Sequence, residues 1–126
     1  MGPIDLHLER LRARIGDVTV QEVAGTGWVI RISAVTLPTG WNKKSTHISL
    51  VAPQGYPFAK PDCFWADLDL RLANGNIPQN TQINNPIPGV PDAMLWFSWH
   101  VDPWNPNRDD LVTWFTLIKQ RLSKPQ

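Results

Sequence analysis

Cysteine is almost absent from this chain, and the lack of a second one limits its chemistry. The only cysteine, Cys63, excludes an internal disulfide and a zinc site built from several cysteines. The sequence also has no His-x-x-x-His pair and no glycine-rich phosphate loop. It therefore predicts neither a metal nor a cofactor.

Net charge and long apolar runs are lacking as well. The chain has twelve Lys and Arg residues and eleven Asp and Glu residues, so no basic surface for nucleic acid or an anionic membrane is predicted. No apolar run approaches the ~20 residues that span a bilayer, and residues 1–5 lack the features of a signal peptide. We therefore expect a cytoplasmic protein with neither nucleic acid nor membranes as partners, folded as a single domain over residues 1–126.

The apolar pattern predicts an α+β fold. Apolar residues at helical spacing predict an N-terminal helix over 4–15, ended by Gly16. Alternating apolar and polar residues then predict an antiparallel meander of about four strands, at 17–23, 28–33, 46–51 and 63–65. A long irregular crossing follows, with turn motifs from 67 to 92 and an extended apolar run at 94–101. The last element is a helix over 109–122, for which Asn107 is the predicted N-cap.

Two motifs in this order resemble those of the ubiquitin-conjugating (UBC) fold. The run Tyr56-Pro57-Phe58-Ala59-Lys60-Pro61 is similar to the Tyr-Pro-Phe-x-x-Pro turn that enters the family's fourth strand. Trp104-Asn105-Pro106 is similar to the Trp-Ser-Pro segment before its central helix. A compact bacterial branch is matched in four segments: Pro61-Asp62-x-Phe64-Trp65, Leu72-Ala73-Asn74-Gly75, Trp96-Phe97-Ser98-x-His100 and Trp104-x-Pro106-x-x-Asp109-x-Leu111. The resemblance covers residues 4–122 and implies a UBC-like fold without the C-terminal helices of the larger eukaryotic enzymes.

The bacterial branch also implies a pathway and partners. Its members occur beside ubiquitin-like proteins, activating enzymes and JAB-type peptidases. The resemblance therefore implies a component of a bacterial conjugation pathway, in an antiphage-defence setting, with these three classes of protein as partners.

The thioester-forming cysteine of the family is missing at its expected position. Counting back from the motif tryptophan, Trp104, leads to Trp96. Cys63 is expected on the fourth strand as a packed apolar residue, away from the 96–104 segment, and the neighbouring Asp62 argues against a lowered thiol pKa.

Ser98 and His100 are the alternative catalytic pair. Residues two apart on a strand share a face, so this hydroxyl and imidazole project together, which is the minimum for an activated hydroxyl. Asp102, two residues further on, is expected to orient the imidazole and complete a Ser/His/Asp set. Such side chains lie about 6–7 Å apart on a regular strand, so a hydrogen bond requires a bend. The other interpretation is a structural histidine packed among tryptophans.

Other candidates have weaker support from the residues alone. Asn74 falls near the asparagine that supports the oxyanion in the UBC family, or else it is a turn residue in Asn-Gly-Asn. His7 and His47 are expected at the surface without partners. Three aromatic residues are predicted to bind a partner protein, because aromatic side chains are enriched in interfaces: Trp96, Trp104 and Tyr56.

Two functions remain open at this point. The first is a carrier that receives an activated ubiquitin-like protein, as an oxyester on serine, and passes it to an acceptor. The second is a catalytically inactive UBC-fold binding module that docks a ubiquitin-like protein or its activating enzyme.

Overall fold

Two helices and one antiparallel sheet make up the computed structural model, which describes residues 3–126. Helix α1 (Pro3–Ile15) precedes the strands and helix α2 (Leu111–Leu122) follows them. The strands are β1 (Val18–Val23), β2 (Gly27–Thr36), β3 (Ser45–Pro53), β4 (Phe64–Ala66), β5 (Thr81–Gln82) and β6 (Leu95–Phe97). Neither helix is long and apolar enough to cross a membrane. The predicted α+β, UBC-like arrangement is confirmed.

The sheet has two more strands than the sequence pattern predicts. Its order in space is β1-β2-β3-β4-β6-β5, with each neighbouring pair antiparallel. β1 to β4 form the predicted meander, whereas β5 and β6 come from the crossing and its extended apolar end. β6 lies directly beside β4, so the crossing returns the chain to the strand from which it departed.

Side chains alternate across the sheet, and both of its faces are apolar. One face packs with α1 and α2 around fully buried residues such as Ile30, Leu50 and Phe97. The opposite face carries a smaller cluster of Val29, Cys63, Trp65, Ile87 and Val90. Two of these, Ile87 and Val90, come from the crossing. This irregular segment therefore covers the second face, which no helix covers.

The N-cap of α2 is Asp110, so the prediction of Asn107 is wrong. The Asp110 carboxylate accepts hydrogen bonds from the backbone N–H groups of Val112 and Thr113, at 2.9 and 3.1 Å. The Thr113 hydroxyl in turn accepts from the Asp110 N–H, which completes a capping box. Asn107 lies in the preceding turn, where its N–H donates to the Asn105 side chain.

His7 is buried rather than at the surface. It has 8% of its area exposed, and its Nδ1 is joined to the Tyr56 hydroxyl by a hydrogen bond of 2.7 Å. Burial lowers the pKa of His7 and raises the pKa of Tyr56. His47 is exposed as expected, but it has a partner in Asp67, at 3.2 Å.

Arg121 near the end of α2 is 2% exposed and has no Asp or Glu partner among the described residues. Its guanidinium donates to the backbone oxygens of Lys124, Gln79 and Gln126, at 2.9–3.0 Å. It also lies 5.2–5.8 Å from the ring centroids of Trp41, Phe97 and Trp99. Burial lowers its pKa. This cation ties α2 to the crossing and to the segment after β6.

Candidate functional site

Several polar side chains meet at one end of the sheet. β4 and β6 are antiparallel, with Phe64 at the start of β4 opposite Phe97 at the end of β6. The residues that precede Phe64 must therefore lie beside those that follow Phe97. Asp62 and Cys63 are in the first group, and Ser98 is in the second with His100 two residues on.

The backbone holds these two segments together. The Cys63 N–H donates to the Trp99 carbonyl at 2.8 Å, just beyond the regular pairing of the strands. Cys63 has φ of +62°, a left-handed conformation that is uncommon for a residue with a β carbon. The sequence pattern predicted that β4 begins at Cys63. This conformation explains why it begins at Phe64 instead.

The side chains of Ser98, His100 and Asp62 form a chain of hydrogen bonds. Ser98 Oγ lies 3.3 Å from His100 Nε2, and His100 Nδ1 lies 2.5 Å from Asp62 Oδ1. A carboxylate oxygen accepts, so the proton of the neutral imidazole belongs on Nδ1. The lone pair of Nε2 is then free to accept from the Ser98 hydroxyl. This is the arrangement of an activated hydroxyl with an oriented base.

The carboxylate beside His100 is Asp62, and not the expected Asp102. Asp102 is exposed, and among the described residues no hydrogen bond joins it to His100. A hydrogen bond between Ser98 and His100 requires a departure from regular strand geometry. The structure has this departure, because the strand ends at Phe97 and the chain bends beyond it. Asp62 belongs to the Pro-Asp-x-Phe-Trp segment, but only the pairing of β4 with β6 shows what it faces.

Cys63 lies within the site, so the prediction that it is remote from the 96–104 segment is wrong. Its Sγ, an Asp62 carboxylate oxygen and a His100 ring nitrogen all lie within 4.8 Å of one another. The residue is 8% exposed, and burial raises the pKa of the thiol. Asp62 raises it further, whereas a hydrogen bond with the Trp99 backbone lowers it. The site thus holds two nucleophiles, of which Ser98 is hydrogen-bonded to the imidazole.

Asn74 occupies a turn on the surface. Its side-chain oxygen accepts from the Asn76 N–H at 3.0 Å, which is an Asx turn. Among residues 3–126, no hydrogen bond joins Asn74 to Ser98 or His100. The turn role is the one that the structure displays, and the oxyanion role stays a prediction.

The three aromatic candidates are buried to different degrees. Trp96 pairs with Trp65 across β6 and β4 and is half-buried on the second face of the sheet. Trp104 is half-buried, donates its Nε1–H to the Pro57 carbonyl at 2.7 Å and lies 6.1 Å from the Tyr56 ring. Tyr56 is 6% exposed, so it supports this turn from inside. Their binding roles stay predictions.

Asp62 also lines a cleft of about 270 Å³. The Lys60 ammonium, which lines it, donates to the Val101 carbonyl at 2.9 Å. The other lining residues are mostly small or apolar: Gly25, Thr26, Val51, Pro53, Trp65 and Pro88. A second cleft, of about 370 Å³ between β2 and α2, contains none of the candidate site residues.

A model of a protein family, described as Prokaryotic E2 family E, matches residues 10–125. The match includes both strands that form the site and the residues Tyr56, Asp62, Cys63, Asn74, Trp96, Ser98, His100, Asp102 and Trp104. Comparison with curated proteins and with solved structures finds no match.

Proposed function

The chain belongs to the prokaryotic E2 family E, and on this premise we propose that it carries a ubiquitin-like protein as an oxyester on Ser98. The family gives an E2-like role in general. The serine, its base and its substrate are our proposal. The JAB-type peptidase, the antiphage setting and the cytoplasmic location stay predictions.

One observation carries the proposal: the hydrogen-bonded series from Ser98 through His100 to Asp62. A serine hydroxyl is a weak nucleophile until a base takes its proton. The Asp62 carboxylate holds the imidazole with Nε2 towards Ser98 and stabilises the imidazolium that forms. Ser98 is half-buried and His100 is exposed, so a large acyl donor can reach them.

The proposed reaction is transfer of an acyl group from sulfur to oxygen. Ser98 Oγ attacks the carbonyl carbon at the C-terminus of a ubiquitin-like protein, which the activating enzyme holds as a thioester. The new C–O bond forms and the C–S bond breaks. The proton passes from Oγ to His100 Nε2 and from there to the departing sulfur. An acceptor amine or hydroxyl then displaces Ser98 in the same manner.

The cleft beside Asp62 is suited to the end of the ubiquitin-like chain. The lining of the cleft is mostly small or apolar, with Trp65 and Pro88 among the lining residues, which suits an extended tail of small residues. Asp62 belongs to both the cleft and the hydrogen-bonded series, so the cleft adjoins the proposed base.

The test is adduct formation in a mixture of the protein, the ubiquitin-like protein, its activating enzyme and ATP. We expect an adduct that survives thiol reductant and is cleaved by hydroxylamine or base. Ser98→Ala abolishes it, and Ser98→Cys converts it into a reductant-sensitive thioester. His100→Ala slows its formation by about 10²–10⁴-fold, the usual contribution of a general base. Asn74→Ala, in the same assay, tests the predicted oxyanion role.

Ser123→Ala is the matched control, because Ser123 lies at the end of α2 and bonds the Gln120 carbonyl. An adduct that persists in Ser98→Ala contradicts the proposal. If that adduct is sensitive to reductant and absent in Cys63→Ser, the carrier is the thiol.

The exposure of Phe58 favours a second function, the binding module without covalent chemistry. Phe58 is 80% exposed, and it follows the Pro57 carbonyl that Trp104 holds. An apolar ring on a rigid turn is a suitable anchor for a partner protein. If Phe58→Ala weakens binding of the activating enzyme while no adduct ever forms, this function replaces the first.

A further inference from the structure

We propose that Asp62, Cys63 and His100 form a binding site for a thiophilic divalent cation of the zinc type. The inference goes beyond acyl transfer, and binding at this site does not depend on that activity. It also departs from the expectation of no metal site, which rested on the single cysteine and the lack of a His-x-x-x-His pair.

Three different donor atoms already converge here. A carboxylate oxygen, a thiol sulfur and an imidazole nitrogen lie within 4.8 Å of one another. Bonds of about 2.0–2.3 Å in tetrahedral zinc sites place such atoms roughly 3.3–3.7 Å apart. The side chains of Asp62 and His100 are 53% and 58% exposed, so small rotations bring the three atoms to these separations.

The backbone at Cys63 favours this convergence. Successive side chains of an extended chain point in opposite directions, which separates the donor atoms of neighbouring residues. The φ of +62° at Cys63 interrupts the alternation, and the Asp62 and Cys63 donor atoms lie within 4.8 Å of each other. A left-handed residue with a β carbon costs on the order of 1 kcal/mol. Such strain is found at functional sites, where the surrounding structure maintains it.

The set of donors selects the type of cation. Mg²⁺ and Ca²⁺ bind oxygen ligands, and thiolate with imidazole is typical of zinc and its neighbours in the periodic table. Three protein ligands leave the fourth position of the tetrahedron for water. If His100 is the base of the proposed transfer, a bound cation and the transfer reaction exclude each other.

Cobalt is the probe for the site, used with the full chain free of any polyhistidine tag. Coordination of thiolate to Co²⁺ produces a charge-transfer absorption band. Cys63 is the only cysteine, so this band reports on it alone. We expect the band to appear in stoichiometric amount and to disappear when Zn²⁺ displaces Co²⁺. Competition with a chromogenic chelator then measures the Zn²⁺ affinity.

Variants identify the other ligands. Asp62→Asn and His100→Ala each lower the Zn²⁺ affinity by at least about tenfold. Both residues are exposed, and circular dichroism verifies that the variants fold. His47→Ala is the matched control, because it removes another exposed His–Asp pair but leaves the affinity unchanged.

Three results overturn the proposal. Absence of the charge-transfer band shows that the thiol binds no cobalt. Unchanged Zn²⁺ affinity in Asp62→Asn and His100→Ala shows an ion held by Cys63 alone. Loss of affinity in His47→Ala shows that the ion binds elsewhere.

Discussion

Replacing Tyr56 by phenylalanine tests the buried hydrogen bond between α1 and the turn before β4. The substitution removes one oxygen and leaves His7 Nδ1 without its partner at 2.7 Å. His7 and Tyr56 are 8% and 6% exposed, so water cannot take the place of the hydroxyl without opening the contact. An unsatisfied buried polar group costs about 1–3 kcal/mol. We therefore expect Tyr56→Phe to lower the free energy of unfolding by about 2 kcal/mol.

Urea denaturation measures this loss, and the double variant His7→Leu/Tyr56→Phe is its control. With both polar groups gone, no unsatisfied group remains, and the double variant should be more stable than Tyr56→Phe alone. In thermal unfolding we expect the single variant to melt roughly 6–10 °C lower. If Tyr56→Phe changes the free energy of unfolding by less than about 0.5 kcal/mol, the hydrogen bond between His7 and Tyr56 does not stabilise the fold.

The same contact predicts a dependence of stability on pH. Burial is the main cause that lowers the pKa of His7; Asp110 opposes it and Arg10 adds to it. The unfolded chain therefore binds a proton at a higher pH than the folded chain does. The contribution of neutral His7 is complete above its unfolded pKa of 6.5 and is lost as the pH falls towards the lowered folded value. His7→Leu should flatten the stability profile below pH 6.5, and an unchanged slope contradicts this cause.

Three further predictions concern stability measured by urea denaturation. Arg121→Met leaves three backbone oxygens without their donor and should cost about 3 kcal/mol. The exposed control Lys119→Met should change stability by less than about 0.5 kcal/mol, and equal effects of the two variants contradict the structural role of Arg121. Asp110→Ala removes the capping box of α2 and should cost about 1–2 kcal/mol, whereas Asn107→Ala should cost less. A larger loss in Asn107→Ala would favour Asn107 as the N-cap. Gly27 and Gly75 both have positive φ, but a Cβ at Gly27 lies 2.3 Å from the Ala52 oxygen and a Cβ at Gly75 meets no atom within 4 Å. Gly27→Ala should therefore be more destabilising than Gly75→Ala, and equal losses indicate that backbone strain alone is the cause.

Patterns local in sequence predicted most of the elements. Alternation at 28–33 and 46–51 and helical spacing at 4–15 led to elements that the structure contains, because each pattern reports which face is buried. β5 has only two residues, which is too short for any pattern. The cap of α2 was misplaced by three residues, since Asn107, Asp109 and Asp110 are all able to cap and only their backbone geometry distinguishes them.

The site required pairings that are distant in sequence. Ser98 and His100 were predicted together, because a two-residue spacing is visible in the chain. Their partner Asp62 lies 38 residues before His100, and a carboxylate at that distance has no signature of its own. The burial of His7 against Tyr56 is equally invisible, with 49 residues between the two. In each case the fold brings together residues that no local pattern relates.

The backbone hydrogen bond between Cys63 and Trp99 also has a consequence for folding kinetics. The β1–β3 hairpins join residues close in sequence, and such contacts form early. Bringing Asp62 to His100 closes a loop of 38 residues, at an entropic cost of about 3 kcal/mol beyond a constant. The site should therefore assemble after the meander, and a chain that has not closed this loop has the β1–β3 meander without the Ser98–His100–Asp62 series. During synthesis on the ribosome, the site would assemble only when the 96–104 segment has left the exit tunnel.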